Sequence, residues 1–254
     1  MSPPGRPKGE CRTAQPEGTP IGVAVSGPMP RAVLFDLDGT LIDSAPDLAG
    51  ACNEMRVTRG LAPLPYERLR TMVGAGARGM VGVSFSVAPG DDGYAELREE
   101  FLRRYELRMT SETRVFAAVV PLLAWLAEEG VPWGIVTNKA ARFAEPLIAW
   151  LGLAGAAGVI VCGDTTPHAK PHPAPLLEAA RRIGVTPERC VYVGDDRRDV
   201  DAGRAAGMAT IVAAWGYLGA GDPPEAWGAD AIVAHPDALP ALLRGQGLPI
   251  RVVP

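Results

Sequence analysis

The chain has 254 residues, of which 47% are hydrophobic and 21% are charged, the balance of a folded globular protein rather than a disordered one. Its apolar runs stay below the roughly 20 residues that a membrane-spanning helix needs, and residues 1–20 carry no apolar stretch typical of a secretory signal, so we expect a cytoplasmic protein. The net charge of −4 and the lack of a basic block argue against nucleic acid as the main partner, and the lack of a spanning apolar run argues against a membrane.

Residues 1–28 differ in composition from the rest of the chain. They are rich in Pro, Gly, Ser and Thr and show no hydrophobic periodicity, which predicts a disordered N-terminal extension. Met29 stands just before the first predicted strand. This placement leads to the hypothesis that Met29 is the natural start and that residues 1–28 are an added or wrongly assigned leader.

The first strand is predicted at Ala32–Phe35, a short apolar run typical of a buried parallel strand. Residues 46–113 then break the strand pattern, with helices predicted at Asp47–Arg59, Tyr66–Met72 and Tyr94–Met109. A mobile or tightly turned region between the last two helices is indicated by four glycines, Gly74, Gly76, Gly79 and Gly82. We therefore predict a second, helical domain at residues 46–113, the helical insertion, lying over the edge of the sheet.

After the helical insertion, short apolar runs alternate with helical patterns. The predicted strands are Trp133–Thr137, Gly158–Val161, Cys190–Gly194, Thr210–Ala213 and Ala231–Val233. The predicted helices between them are Val120–Glu129, Arg142–Leu151, Ala174–Ile183 and Val200–Ala206. This alternation predicts an α/β fold with a Rossmann-like parallel sheet covered on both faces, formed by residues 29–45 and 114–250.

Two acidic residues, Asp36 and Asp38, directly follow the first strand. Ligands of open parallel sheets bind at the carboxyl ends of the strands, and residues spaced i, i+2 on an extended segment project to the same side. Two buried carboxylates this close repel each other unless a cation or a shared proton lies between them. Because hard oxygen ligands suit Mg²⁺, the pair indicates a divalent metal beside an anionic substrate.

Other predicted strand ends carry a matching set of polar residues. Thr137 and Asn138 follow one strand, Lys170 lies in a proline-rich turn, and Asp195 and Asp199 follow another strand at i, i+4 spacing. A carboxylate nucleophile, a hydroxyl, an ammonium group and acidic metal ligands together fit phosphoryl transfer, in which the protein mainly positions groups and neutralises charge.

In this order, the segments Asp36–Thr40, Thr137, Lys170–Pro171 and Gly194–Asp199 resemble the four signature motifs of haloacid dehalogenase-type phosphatases. Within that superfamily the chain is similar to the phosphoglycolate phosphatases. It is also very like the neighbouring N-acetylmuramic acid 6-phosphate phosphatases of peptidoglycan recycling. The stretches that suggest this neighbour are Trp133–Lys139, Arg142–Pro146 and Trp227–Asp230.

The resemblance implies the two reacting groups. Asp36 attacks phosphorus, forms an aspartyl-phosphate and also binds Mg²⁺. Asp38 gives a proton to the leaving alcohol, then activates the water that hydrolyses the intermediate, and its backbone carbonyl binds the metal. The helical insertion matches the cap that this family inserts after the first motif, and cap closure excludes water and selects the leaving group.

The resemblance also implies the groups that hold the substrate and the metal. Thr137 binds the phosphoryl oxygens, with Asn138 close by, and Lys170 pairs with both Asp36 and the phosphoryl group. Asp195 is a direct metal ligand. Asp199 supports the metal site without binding the ion.

Three other activities share parts of this pattern. A receiver-type signalling module also gathers carboxylates, a threonine and a lysine on a parallel sheet, but this chain is too long for one. A dehalogenase of the same fold needs neither Asp38 as proton donor nor a metal ligand at Asp195. A phosphomutase shares every catalytic residue and transfers the phosphoryl group to a second sugar hydroxyl instead of water.

The predicted substrate is a small phosphorylated metabolite, with phosphoglycolate as the first choice and N-acetylmuramic acid 6-phosphate as the second. The sequence does not show which residues of the helical insertion select the leaving group. Gly74–Gly76 and Arg78 are candidates for substrate contact, and an ordinary glycine turn is the other interpretation of this segment.

Overall fold

A computed structural model of the chain describes residues 29–245. The predicted extension at residues 1–28 and the last part of the predicted core, residues 246–250, lie outside the described residues. Between residues 29 and 245, no helix has both the length and the apolar character that crossing a membrane requires.

The centre of the fold is a six-stranded sheet in which every neighbouring pair of strands is parallel. Its strands are β1 (Ala32–Phe35), β4 (Trp133–Val136), β5 (Val159–Val161), β6 (Cys190–Gly194), β7 (Ala209–Ala213) and β8 (Ala231–Val233). They are arranged in the order β5-β4-β1-β6-β7-β8. These are the six strands that the apolar runs predict, each with its ends within one residue, so the predicted α/β fold is confirmed.

The strands at the middle of the sheet are buried throughout. All residues of β1, β4 and β6 are buried, and β1 lies between the other two, with Val33 paired to Trp133 on one side and to Val191 on the other. Because helices cover both faces of a parallel sheet, its strands are continuous apolar runs rather than alternating ones. The loop after β1 therefore leaves the sheet between the loops that follow β4 and β6, which brings distant parts of the chain together.

Helices flank the sheet and form the helical insertion. Those of the insertion are α1 (Ala45–Val57), α2 (Tyr66–Arg70), α3 (Gly76–Phe85) and α4 (Tyr94–Arg108). Those around the sheet are α5 (Val119–Glu128), α6 (Ala141–Trp150), α7 (Ala174–Ile183), α8 (Arg197–Ala205) and α9 (Leu239–Leu243). Short 3₁₀ turns lie at Val73–Ala75, Pro187–Arg189, Pro224–Ala226 and Pro236–Ala238. A short antiparallel pair, β2 (Ile42–Asp43) and β3 (Arg114–Val115), joins the two ends of the insertion.

The glycine-rich segment of the insertion is helical, which corrects the prediction of a mobile or tightly turned region. A 3₁₀ turn at Val73–Ala75 leads directly into α3. Glycine inside a helix costs about 1 kcal/mol relative to alanine. Here that cost is offset by packing, since Met80 and Val81 are fully buried in the apolar cluster that also contains Phe101 of α4.

Candidate active site

Asp36 is the first residue beyond β1, at the carboxyl edge of the sheet. Its backbone N–H donates to the Val193 carbonyl at 2.9 Å, so the strand pairing with β6 fixes the position of the residue. Lys170 Nζ donates to Asp36 Oδ1 at 2.8 Å. The side chain keeps 14% of its surface exposed and lines a cavity above the sheet. A carboxylate with one oxygen bound to an ammonium and with access to a cavity is suited to attack a substrate.

Three carboxylates converge beside this point. Asp36, Asp195 and Asp199 each offer an oxygen, and these atoms lie within 4.8 Å of one another. Burial raises the pKa of Asp36 to about 6. Burial, reinforced by the Asp36 and Asp199 carboxylates, raises the pKa of Asp195 well above its usual value. Buried acids that repel one another provide the hard oxygen ligands that a divalent cation prefers, so the cluster could hold such an ion.

Two neighbours fix the orientation of Asp195. Thr40 Oγ1 donates to its Oδ1 at 2.8 Å, and the Tyr217 backbone N–H donates to its Oδ2 at 2.8 Å. Gly39 lets the loop after β1 approach this carboxylate, because a Cβ at that position would lie 2.2 Å from Asp195 Oδ2. The φ of Gly39, +88°, also favours glycine. The sequence therefore places a residue without a side chain where the loop after β1 meets Asp195, the first residue after β6.

Lys170 is the main cation on the floor of the cavity. Four acceptors surround the three N–H groups of its buried ammonium: Asp36 Oδ1 at 2.8 Å, Asp199 Oδ1 at 2.7 Å, the Tyr192 hydroxyl at 2.7 Å and the Val136 carbonyl at 2.9 Å. Burial lowers the pKa of this ammonium, but the Asp199 and Asp36 carboxylates raise it by more, so the pKa lies above its usual value. Lys170 is held charged and in one position.

Asn138 holds the backbone of Lys170. Its Oδ1 accepts from the Lys170 backbone N–H at 2.9 Å, and its Nδ2 donates to the Lys170 carbonyl at 2.9 Å. The Asn138 amide is therefore occupied within the protein. Thr137 is buried, and its Oγ1 accepts from the Lys139 backbone N–H at 3.1 Å, which leaves the hydroxyl proton of Thr137 free to donate to a ligand.

Asp38 lies apart from the three-carboxylate cluster and has its own partners. Lys139 Nζ donates to its two oxygens at 3.0 and 3.1 Å, and Ser44 Oγ donates to Oδ1. The predicted metal role of Asp38 runs through its backbone carbonyl, so it is compatible with this pairing of the side chain. Lys139 was not predicted as a site residue. Lys139 lies two residues after Thr137, the first residue beyond β4, just as Asp38 lies two residues after Asp36, the first residue beyond β1. This equal spacing is the signal that could have identified Lys139.

Asp199 contributes to the start of α8 as well as to the charged floor. Its Oδ2 accepts from the Asp196 backbone N–H at 3.0 Å, while Asp196 Oδ1 accepts from the Arg198 N–H at 2.9 Å, a reciprocal capping box. Gly194 makes room for Asp199, because a Cβ there would lie 2.4 Å from its Cγ. With Lys170 on its other oxygen, Asp199 links the helix terminus to the ammonium.

A cavity of about 470 Å³ lies between these groups and the helical insertion. Its floor is lined by Asp36, Asp38, Thr137, Asn138, Lys170, Asp195 and Asp199. The wall that the insertion supplies includes Gly74, Ala75, Gly76, Ala77, Phe101, Leu102 and Tyr105. The candidate segment Gly74–Gly76 thus borders the cavity, whereas the exposed Arg78 lines a neighbouring one. All the predicted catalytic, substrate-binding and metal residues border this one space.

The sequence and the fold match a known class of proteins. Residues 33–213 match the family described as haloacid dehalogenase-like hydrolase, and the chain belongs to that family. The predicted resemblance is thereby confirmed.

Among curated relatives, the chain is 43% identical to an N-acetylmuramic acid 6-phosphate phosphatase of Pseudomonas aeruginosa, over 82% of this chain and 92% of the relative. It is 46% identical to a phosphoglycolate phosphatase of Xanthomonas campestris pv. campestris, over 83% and 95%. The solved structure of a predicted phosphoglycolate phosphatase from Haemophilus somnus is similar with a TM-score of 0.74 and 25% identity, over 84% and 97%. These relatives support phosphatase activity for this chain.

Proposed function

We propose that the protein is a Mg²⁺-dependent phosphomonoester hydrolase that acts through an aspartyl-phosphate on Asp36. The single observation that carries this proposal is the contact of Lys170 with both Asp36 and Asp199, within a cluster that also includes Asp195. Three acids around one ammonium leave an excess of negative charge. This excess suits a divalent cation, and phosphoryl transfer uses that cation together with the ammonium to neutralise the transferred group.

In the first half of the proposed reaction, a free oxygen of Asp36 attacks phosphorus. The new bond joins this oxygen to phosphorus, and the bond between phosphorus and the ester oxygen breaks. Asp38 gives its proton to the departing alcohol. In the second half, Asp38 takes a proton from water, the water oxygen attacks phosphorus, and Asp36 is regenerated with release of phosphate.

The remaining residues of the floor bind and orient. Lys170 and the Thr137 hydroxyl contact the phosphoryl oxygens, and Asn138 acts by fixing the backbone of Lys170. Carboxylates of Asp36 and Asp195, with the backbone carbonyl of Asp38, would hold Mg²⁺, which supplies charge neutralisation at the phosphoryl group when bound. Asp199 supports this site by holding Lys170.

Residues 29–45 and 114–250 are proposed as the catalytic core, and the helical insertion at 46–113 as a cap domain that covers the cavity. Two arginines form hydrogen bonds between the core and the helical insertion. Arg198 of α8 donates to the Gly74 carbonyl, and Arg70 of α2 donates to the Gly216 carbonyl at 2.9 Å. Such contacts support a cap that closes over bound substrate and excludes water from the aspartyl-phosphate.

Phosphoglycolate is the first proposed substrate, because relatives with that name reach 46% identity. N-Acetylmuramic acid 6-phosphate is the second, favoured by the relative at 43% identity and by a cavity of about 470 Å³, which is large for glycolate. Both compounds are phosphomonoesters whose alcohol carries a carboxylate.

The experiment is to compare kcat/KM for these two substrates and a panel of sugar phosphates, with Mg²⁺ and with a chelator. We expect phosphate release that depends on Mg²⁺ and that is highest for one of the two acids. Activity that chelation leaves unchanged would point to dehalogenase-type chemistry. Transfer of phosphate to a second sugar hydroxyl instead of water would identify a phosphomutase.

A further inference from the structure

The charged side chains of the cavity fall into two groups. On the floor, each cation is already paired with a carboxylate. Lys170 binds Asp36 and Asp199, and Lys139 binds Asp38 at 3.0 Å. Both ammonium groups are buried, with 3% and 8% of their side-chain surface exposed. Neither lysine is a spare cation for a second anionic group of the substrate.

At the mouth of the cavity, two guanidinium groups have no carboxylate partner within residues 29–245. Arg98 of α4 and Arg142 of α6 both line the cavity and are exposed to solvent. Within residues 29–245, neither side chain makes an ion pair or a hydrogen bond, whereas Arg198, which also lines the cavity, is paired with Asp196 at 2.8 Å. One free arginine comes from the helical insertion and the other from the sheet domain, so they border the opening from two domains.

The surface between the mouth and the floor is largely apolar. The insertion contributes Phe101 and Leu102, and the sheet domain contributes Phe143, over whose ring the Arg142 guanidinium lies at 4.3 Å from the centroid. Stacking on an aromatic face restricts the position of a guanidinium without using its hydrogen-bond donors. A planar guanidinium with free donors matches a carboxylate in a bidentate arrangement.

We propose that Arg98 and Arg142 form a subsite that binds a carboxylate on the leaving group. The substrate class is a phosphomonoester of a hydroxy acid, with its phosphate on the floor, its carbon skeleton against the apolar wall and its carboxylate at the mouth. This inference rests on the proposed phosphatase function. It goes beyond that function by naming Arg98 and Arg142 as the residues that distinguish an acidic leaving group from a neutral one of the same shape.

The test uses pairs of substrates that differ only in the acidic group. N-Acetylmuramic acid 6-phosphate is compared with its carboxamide, in which a neutral amide replaces the lactyl carboxylate, and phosphoglycolate is compared with 2-hydroxyethyl phosphate. The measured quantity is the ratio of kcat/KM for the acid to kcat/KM for its neutral counterpart. We expect the unaltered protein to prefer the acid in at least one pair, and Arg142→Ala or Arg98→Ala to lower that ratio about tenfold, the effect of one charged hydrogen bond.

Three comparisons make the result specific. Arg142→Lys keeps the charge and should recover part of the ratio. Arg103→Ala removes an arginine that is also exposed and unpaired among residues 29–245 and that lies on α4 but does not line the cavity, so the ratio should be unchanged. Because the subsite is exposed, the preference should also weaken as ionic strength rises. Thermal unfolding of each variant checks that it is folded.

The two proposals fail in different ways. If the unaltered protein hydrolyses no phosphomonoester, the proposed function is wrong. If it hydrolyses them but shows no preference for either acid, or if both arginine variants keep the full preference, the carboxylate subsite is wrong while the phosphatase function stands.

Discussion

The floor of the cavity and the wall supplied by the helical insertion are built on different principles. On the floor, buried charges satisfy one another at short distances, as Lys170 does with Asp36 and Asp199. On the wall, apolar side chains such as Phe101 and Leu102 predominate, and Arg98 at its rim has no partner within residues 29–245. A preorganised floor is suited to one reaction, whereas an apolar wall with free charge at its rim is suited to selecting a leaving group.

This difference predicts that floor substitutions impair turnover of every substrate, whereas rim substitutions change which substrate is preferred. The largest expected effect is that of Asp36→Asn. Removing the nucleophile should lower kcat by at least about 10⁴-fold on all phosphomonoesters. Asp201→Asn, on the outer side of α8, is the matched control and should retain full activity. Retained turnover in Asp36→Asn would place the nucleophile elsewhere.

Asp38→Asn tests the proton-transfer role on the same floor. The variant keeps the shape of the side chain but can neither donate an acidic proton nor accept one from water. General acid–base catalysis typically contributes about 10²–10⁴-fold, so kcat should fall by that factor. The loss should be smaller for p-nitrophenyl phosphate, whose leaving group needs little protonation. A change of less than about twofold on an alkyl phosphate would remove Asp38 from this role.

Gly39→Ala tests the floor in another way, because it disturbs the metal site without removing a charged group. Its Cβ would lie 2.2 Å from Asp195 Oδ2, at a φ of +88° that strains any side chain. Displacing the Asp195 carboxylate should weaken Mg²⁺ activation by about 10–100-fold, the usual effect of disturbing a ligand's surroundings. Gly60→Ala is the control, since its φ is +68° with nothing within 4 Å of the Cβ. Equal Mg²⁺ dependence in the two variants would show that Gly39 has no special role.

The smallest effect concerns pH. Burial raises the pKa of Asp36 to about 6 from 3.8, so between these values the folded state binds a proton that the unfolded state has lost. The contribution of Asp36 to the free energy of unfolding of the metal-free protein should therefore fall as pH rises from about 4 to about 6, by an amount on the order of 3 kcal/mol.

The measurement is Tm against pH with and without Mg²⁺, compared with Asp36→Asn to subtract the other carboxylates. The gain in Tm from Mg²⁺ should be small near pH 4, where Asp36 is protonated, and should reach a few degrees at pH 7. A gain in Tm that is independent of pH would contradict this explanation.

The sheet and its floor could be predicted because their signals are local. Apolar runs identify buried strands, and the rule that ligands bind at the carboxyl ends of parallel strands selects Asp36, Thr137 and Asp195 without further information. The family match then confirms the fold and the class of enzyme. The roles of the individual residues remain predictions.

The parts that the sequence did not predict depend on contacts between distant residues. Helix α3 is rich in glycine, and its buried residues pack in one apolar cluster with residues of α1, α2 and α4 that are distant in the sequence. Strands β2 and β3 have two residues each, too few to show a period. Tyr217 is far from α1 in sequence, yet its hydroxyl accepts from the Ser44 and Ala45 N–H groups at the start of that helix.

The most direct test of the catalytic account is a crystal structure with Mg²⁺ and beryllium fluoride, which stands in for the transferred phosphoryl group. We predict beryllium bonded to a carboxylate oxygen of Asp36, with Lys170 contacting the fluorides and the Mg²⁺ ion bound by Asp36 and Asp195. An adduct on another residue, or an ion bound away from Asp195, would contradict it.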